Sequence, residues 1–152
     1  MTIVRLGLVI ASGRRVPNVR VRIGHKVFLA ANIITQAGLD WLTDFAACLN
    51  PPTISRFAVG LGDAEPNLAD VKLTNEQFRK EFTNTWREPG LAVIETYFAR
   101  NEANFYWREL GLIVGGTEEP DTGILVARVL VDVNKTEFDS TVVTWELGVS
   151  NA

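Results

Sequence analysis

Apolar and polar residues alternate along much of this chain, which is the pattern of β-strands that bury one face. The alternation is clear at residues 4–10 and again at 19–29, two runs joined by an arginine-rich turn. Shorter apolar runs, separated by Gly, Pro and Asp turns, predict further strands at residues 57–61, 82–87, 91–99, 105–114, 124–133 and 141–149. Strands of this length and spacing favour a mainly β fold, a sandwich or a partly open barrel, with an α+β fold as the second choice.

One segment, about residues 36–49, has helical periodicity and predicts the main helix. Thr35 is a suitable N-cap, and the Asn-Pro-Pro sequence at 50–52 ends the segment. Three apolar residues share one helical face, Leu42, Phe45 and Leu49. We expect this face to pack against the inner side of the last strand, which carries Val143, Trp145 and Leu147.

The strand predicted at 105–114 carries Glu109 inside a continuous apolar and aromatic run. A buried carboxylate needs a partner, because burying a lone charge is expensive. Arg79 is the expected partner and Arg128 the second choice, with Arg79 on a short helical turn that the capping-box spacing of residues 74–77 predicts. With Glu76 these residues form a predicted structural ion-pair group. The alternative is a general acid/base pair of Glu76 and Glu109.

Other groups also have a functional and a structural interpretation. The Gly-Leu-Gly-Asp sequence at 60–63 superficially suggests a phosphate loop, but it lacks the lysine of a P-loop and is better interpreted as a turn. Three loop acids miss the EF-hand spacing and are expected to be solvated charges: Asp63, Glu65 and Asp70. Four tryptophans can stack on sugars, although a core or interface position is the default: Trp41, Trp86, Trp107 and Trp145.

Composition limits the chemistry that this chain can carry. A chain of 152 residues with 47% hydrophobic and 22% charged residues fits one domain spanning residues 1–152. The only histidine is His25 and the only cysteine is Cys48, expected to be an inert core thiol, so we predict no cofactor and no metal site. No apolar run reaches the roughly 18 residues of a membrane span, and the first residues lack the layout of a signal peptide.

Charge is distributed unevenly. Residues 1–39 hold six cationic residues and no acid: Arg5, Arg14, Arg15, Arg20, Arg22 and Lys26. The rest of the chain holds nine cationic and eighteen acidic residues, a charge of −9. We expect residues 1–32 to form a basic N-terminal arm or an edge hairpin that binds an acidic neighbour, including another copy of this chain. Nucleic-acid binding is disfavoured, because only Phe28 lies near the arginines to stack on bases and the isoelectric point of the chain is acidic.

Taken in order, several short motifs resemble a phage pattern. They are a T-x-x-G helix start at 35–38, a strand ending in G-x-G at 60–62, an L-x-x-E-x-x-R segment at 73–79, an R-E-x-G-L segment at 108–112, an L-x-A-R segment at 125–128 and a lysine at 135. The set resembles the N-terminal domain of bacteriophage tail-collar fibre proteins. The resemblance covers roughly residues 33–149, the body that follows the basic segment.

The resemblance implies a non-enzymatic virion structural protein, an oligomeric adaptor of the tail/collar or fibre-attachment type. Its expected partners are further copies of itself, with a trimer favoured, and other phage structural proteins, but no membrane. The expected location is the virion, after synthesis in the host cytoplasm. Two alternatives remain open, a decoration protein that cements the capsid and a glycan- or receptor-binding module.

Overall fold

The computed structural model describes residues 6–8, 19–30 and 32–151, and side chains within 19–30 and 32–147. Within this part, two antiparallel sheets face each other. Sheet I has the order β3-β2-β11-β8-β7, and β1 also pairs with β11. Its strands are β1 (Leu6–Leu8), β2 (Val19–Ile23), β3 (Lys26–Ala30), β7 (Asn84–Glu88), β8 (Leu91–Phe98) and β11 (Thr141–Asn151).

Sheet II has the order β4-β10-β9-β5-β6. Its strands are β4 (Ile33–Ile34), β5 (Ile54–Gly60), β6 (Glu76–Glu81), β9 (Tyr106–Val114) and β10 (Ile124–Asn134). The single helix of the described residues is α1 (Gln36–Ala46), and no helix in this part combines the length and apolarity needed to cross a membrane. The prediction of a mainly β fold with one main helix is confirmed.

Aromatic contacts join the two sheets. Phe57 of β5 meets Trp145 of β11 edge-on, with ring centroids 5.5 Å apart, and Phe98 of β8 meets Trp107 of β9 at 4.9 Å. All four side chains are buried. Edge-on pairs of this kind add to the free energy of burial, so the core is centred between β5, β9, β8 and β11.

The basic segment is part of sheet I where the structure describes it. In β2, Val19, Val21 and Ile23 are buried while Arg20 and Arg22 are exposed. β2 pairs with β11 on one side and with β3 on the other, through a two-residue turn in which Gly24 has φ +52°. Residues 19–30 are therefore an edge hairpin, and the alternative of a detached arm is wrong for them.

The helix packs differently from the prediction. Thr35 is the N-cap, as predicted, and accepts a hydrogen bond from the Gly38 N–H at 3.0 Å. The helix ends at Ala46 instead of residue 49, and it packs on β10 instead of β11. Its buried residues are Gly38 and Trp41, whereas Phe45 is 44% and Leu49 67% exposed.

Close approach of backbone to backbone explains this orientation. A register shift in β10 makes Val126 a bulge, and its carbonyl accepts the Thr35 N–H at 3.0 Å. A Cβ at Gly38 would overlap that carbonyl, so only glycine allows this contact. Trp41, one turn later, then faces inward and donates its indole N–H to the Pro52 carbonyl at 2.7 Å. Cys48 is exposed, with φ +58°, so the prediction of a core thiol is wrong.

The predicted helical turn at 74–79 is also wrong, because residues 76–81 form strand β6. Gly60 of β5 pairs with Glu76 and Val59 pairs with Phe78, so Gln77 is an extra residue in the ladder. Such a bulge places Glu76 and Arg79 on the same side of the strand, where they form an ion pair. Pairing with β5 has overridden the local capping signal.

Candidate functional site

Glu109 lies on the face of β9 that points away from sheet I. Its neighbours Leu110 and Leu112 belong to the main core, while Gly111 and Ile113 face the same way as Glu109. Residues 61–75, here named the β5–β6 loop, cover this outer face, with Leu73 buried against Gly111. The loop explains why β9 is buried on both faces, and it encloses Glu109 completely.

The Glu109 carboxylate accepts a hydrogen bond at four points. Oε1 accepts the backbone N–H groups of Gly62 at 3.0 Å and Asn75 at 2.7 Å. Oε2 accepts the Thr74 N–H at 3.0 Å and the Nε–H of Arg128 at 2.9 Å. Three of the four donors are therefore backbone groups at the two ends of the β5–β6 loop, and a charged acceptor strengthens each bond.

Arg128 completes the same network from β10. It is buried, and its Nη1 donates to Asp70 Oδ2 at 2.8 Å, while its Nη2 donates to the Ala64 carbonyl at 2.8 Å and Thr74 Oγ1 at 2.9 Å. A guanidinium group carries five N–H donors in a fixed plane, so one side chain reaches three parts of the loop. Glu109, Arg128 and Asp70 are here named the ionic centre.

The glycines at 60 and 62 are explained by the ionic centre. A Cβ at Gly60 would lie 2.6 Å from Glu109 Oε1, and a Cβ at Gly62 would lie 2.5 Å from the same atom. Any larger residue would push the carboxylate out of hydrogen-bonding position. The structure therefore assigns the Gly-Leu-Gly-Asp sequence a packing role around a carboxylate.

Arg79 is not the partner of Glu109, so the first choice made from the sequence is wrong and the second choice is the observed one. Arg79 pairs instead with Glu76, with Nη2 to Oε2 at 2.9 Å, and both side chains are buried. Its Nη1 donates to the carbonyls of Thr117 and Thr122 at 3.1 and 3.0 Å. The predicted four-residue group is thus two separate ion pairs, Glu109 with Arg128 and Glu76 with Arg79. The Glu76–Arg79 pair connects β6 to the loop between β9 and β10.

This arrangement positions chain segments but offers little to a substrate. Both oxygens of Glu109 are occupied, and Glu76 is enclosed with Arg79 and also accepts the Asp121 N–H at 3.2 Å. A general acid or base needs a lone pair or a proton that a substrate can reach. The geometry is that of a structural network.

The other candidate groups are also accounted for. Asp70, expected to be a solvated charge, belongs to the ionic centre, and Asp63 forms an exposed ion pair with Arg108 at 3.3 Å. Within the described residues no three His, Cys, Asp or Glu side chains are grouped as metal ligands. Three tryptophans are buried and cannot stack on a sugar, and the exposed one is Trp86.

A further buried cation lies at the end of β10, where the sequence indicated only a motif lysine. Lys135 is buried and donates to Asn104 Oδ1 at 2.8 Å. Burial lowers the pKa of Lys135, because the charged form loses hydration. Near Lys135, Glu102 binds Lys80 at 2.7 Å. Burial of Glu102 raises its pKa, but the hydrogen bonds from Lys80 and from the Ala99 N–H outweigh this effect, so that the pKa of Glu102 is lowered overall.

The predicted partner-binding cations are only partly described. Arg20 and Arg22 lie exposed on the outer face of sheet I, and Lys26 is exposed at the start of β3. None of the three forms an ion pair with another described residue. Arg5, Arg14 and Arg15 lie outside the described residues.

We compared the chain with protein families, with characterised proteins and with solved structures. None of the three comparisons found a match from which a relationship follows.

Proposed function

We propose that this chain is a non-enzymatic structural protein of a bacteriophage particle, an oligomeric adaptor at the tail, the collar or the fibre attachment site. The observation that carries the proposal is the position of the motifs that resemble tail-collar fibre proteins. Most of their residues meet in one buried framework that holds the β5–β6 loop and the helix against sheet II, whereas Glu76 with Arg79, and Lys135, form separate buried contacts within the protein.

The helix motif anchors α1 on β10. Thr35 caps the helix and donates its own N–H to the Val126 carbonyl, and Gly38 allows the helix to lie directly on that carbonyl. The N–H of Gln36 donates to the Leu68 carbonyl at 2.7 Å, so the helix start also holds the middle of the β5–β6 loop. This motif therefore joins three chain segments that are distant in sequence.

The strand motifs anchor the ends of the same loop. The glycines at 60 and 62 make room for Glu109, Leu73 packs on Gly111, and Arg128 pairs with Glu109. Each of these contacts depends on the others, so the motifs that follow one another along the sequence contribute to one packed arrangement. A packed arrangement of this kind supports a rigid module. A rigid surface loses less conformational entropy when it assembles with a partner.

The test is a cryo-EM reconstruction of particles of the phage that encodes this chain. We expect the fold to fit density in a symmetric ring at the tail, the collar or the base of the fibres. Particles grown with a stop codon in the gene are the matched control, and they should lose this density together with the attached appendage.

Two results would overturn the proposal in different ways. Purified particles that contain none of this chain would exclude a virion role. Density spread over the capsid lattice would exclude the adaptor and support the decoration alternative.

A further inference from the structure

Sheet I ends at β3 in a strand that lacks the usual protection of an edge. Val27 is 54% and Leu29 60% exposed, and within the described residues β3 pairs only with β2. In an antiparallel hairpin with a two-residue turn, alternate residues direct their backbone N–H and C=O groups outward. The register of β2 with β3 makes these Val27 and Leu29. Edge strands with apolar side chains and free backbone groups readily accept another strand.

The opposite end of sheet I is β7, whose five residues are all exposed. Trp86 is 38% exposed and lies on the outer face of the sheet, because it is opposite Val93 of β8, which is four residues from the exposed Tyr97 and so on the same face of the strand. Thr85 and Arg87 alternate with it and point to the inner side of the edge. Among the described strands β7 pairs only with β8, so both ends of sheet I are open edges of five residues, and such a sheet can continue from one molecule into the next.

The two edges carry opposite charge on the outer face. Arg20 and Arg22 stand beside β3, on β2, directly opposite Leu29 and Val27. Glu88 stands on β7, and Glu95 stands on the neighbouring strand β8 opposite Asn84. If β3 of one copy met β7 of another, arginine side chains would reach Glu88 across one strand, Glu95 would add negative charge one strand further away, and Trp86 would lie beside Leu29 or Val27. Such cross-strand pairs stabilise sheets.

The inner side of the β3 edge has a matching feature. A groove of about 540 Å³ runs between β3 and β10, lined by apolar residues and by Asp132 at its rim: Val27, Phe28, Leu29, Ala30, Leu130 and Val131. Asp132 forms no ion pair with another described residue, and neither does Arg87 of β7. A strand added to β3 directs alternate side chains into this groove, and for β7 these are Thr85 and Arg87. The arginine stem suits the apolar walls and its guanidinium suits Asp132.

We propose that a second copy of this chain occupies the β3 edge through its own β7, so that sheet I continues between subunits. A symmetric β3–β3 contact is disfavoured, because it would bring the cations Arg20 and Arg22 of both copies together. A head-to-tail contact of two different edges repeats from subunit to subunit and closes into a ring, or continues as a filament. This inference rests on the proposed function as an oligomeric module and assigns the surfaces that form the oligomer.

The first experiment measures the mass of the full chain in solution at about 50 μM by light scattering after gel filtration. We expect a multiple of the 16.8 kDa chain mass for the wild type and the mass of one chain for Leu29→Lys and Trp86→Lys. Val71→Lys is the matched control, since Val71 is 70% exposed on the β5–β6 loop and should leave the oligomer intact. All substituted side chains are partly or largely exposed, and circular dichroism verifies that each variant is folded.

The second experiment exchanges the charges. We expect a chain with Arg20→Glu and Arg22→Glu to be a monomer, and a chain with Glu88→Lys and Glu95→Lys to be a monomer as well. An equimolar mixture of the two should reassemble into oligomers that contain both variants, because every contact between unlike chains is again complementary. Failure of the mixture to reassemble, or an unchanged oligomer for the Glu88 and Glu95 variant, would exclude β7 as the occupant.

The two proposals fail in distinguishable ways. A wild-type monomer at about 50 μM whose chain is nevertheless found in the particle would overturn this contact and leave the virion role in place. An oligomer disrupted at both edges, from a chain that is absent from purified particles, would overturn the virion role and leave the contact in place.

Discussion

Replacement of Glu109 by glutamine tests the ionic centre directly. Glutamine has nearly the same shape, so it leaves no cavity and changes only charge and hydrogen bonding. Each carboxylate oxygen accepts two donors, the N–H groups of Gly62 and Asn75 on one side, and those of Thr74 and Arg128 on the other. In Glu109→Gln one of these two donor pairs must face the amide NH₂ group in either orientation of the side chain.

The expected loss of stability follows from the number of donors that are left without an acceptor. A buried donor without an acceptor costs about 1–3 kcal/mol, and removing one partner of a buried ion pair costs about 3–5 kcal/mol in measured cases. Asp70 still neutralises part of the Arg128 charge, at 2.8 Å. We therefore expect Glu109→Gln to lower the free energy of unfolding by about 3–5 kcal/mol, a large part of the 5–15 kcal/mol typical of a domain.

Urea unfolding followed by tryptophan fluorescence measures this loss, at one fixed protein concentration because assembly would add stability. Hydrogen exchange gives a local measurement, and the amides of Gly62, Thr74 and Asn75 should exchange faster. Asp63→Asn is the matched control: Asp63 joins the same loop to β9 through an exposed ion pair with Arg108, so it should cost less than about 1 kcal/mol. A loss of under about 1 kcal/mol for Glu109→Gln, with unchanged exchange, would refute the reasoning.

Three further predictions follow from burial, backbone contact and titration. Phe57→Ala should cost about 3–5 kcal/mol in urea unfolding, because Phe57 is fully buried, whereas Phe45→Ala should cost only about 1 kcal/mol; equal losses would contradict the observed helix orientation. Gly38→Ala should cost about 1–3 kcal/mol and lower the thermal midpoint, since the added Cβ overlaps a β10 carbonyl; an unchanged midpoint would show that this contact is not required. The pKa of Glu102 is lowered from 4.5 in the folded state, so its contribution to stability is present above that value and is lost as the pH falls through the lower folded pKa. Glu102→Gln should flatten this part of the curve of stability against pH, and identical curves for the two proteins would refute the assignment.

The fold class and most strand positions could be predicted from the sequence, because alternation of apolar residues is a local property of each strand. The runs predicted at 91–99, 105–114 and 124–133 correspond to β8, β9 and β10 with small differences at the ends. The cap at Thr35 was predictable for the same reason, since the bond to Gly38 joins residues three apart. Packing of the helix was not predictable from periodicity, because a single backbone contact at Gly38 decides which apolar face turns inward.

In strand β6, pairing with a distant strand prevails over the helix start that the local sequence predicts. Thr74 and Gln77 have the spacing of a capping box, but residues 76–81 gain a ladder of backbone hydrogen bonds to β5. The bulge at Gln77 then brings Glu76 and Arg79 together. Arg79, which the sequence predicted as the partner of Glu109, is therefore paired with Glu76 instead. No pattern within the segment indicates where its partner strand lies, so this outcome depended on the tertiary structure.

The sequence by itself determined that Glu109 requires a cation and that the first part of the chain is basic, because the cost of a buried charge and the count of charges belong to the residues. Only the tertiary structure decided that the cation is Arg128, that Asp70 joins it and that Arg20 and Arg22 stand on an open sheet face. Strand register and loop path set those distances. Both depend on residues far apart in the chain, and a one-residue bulge is enough to change which side chains meet.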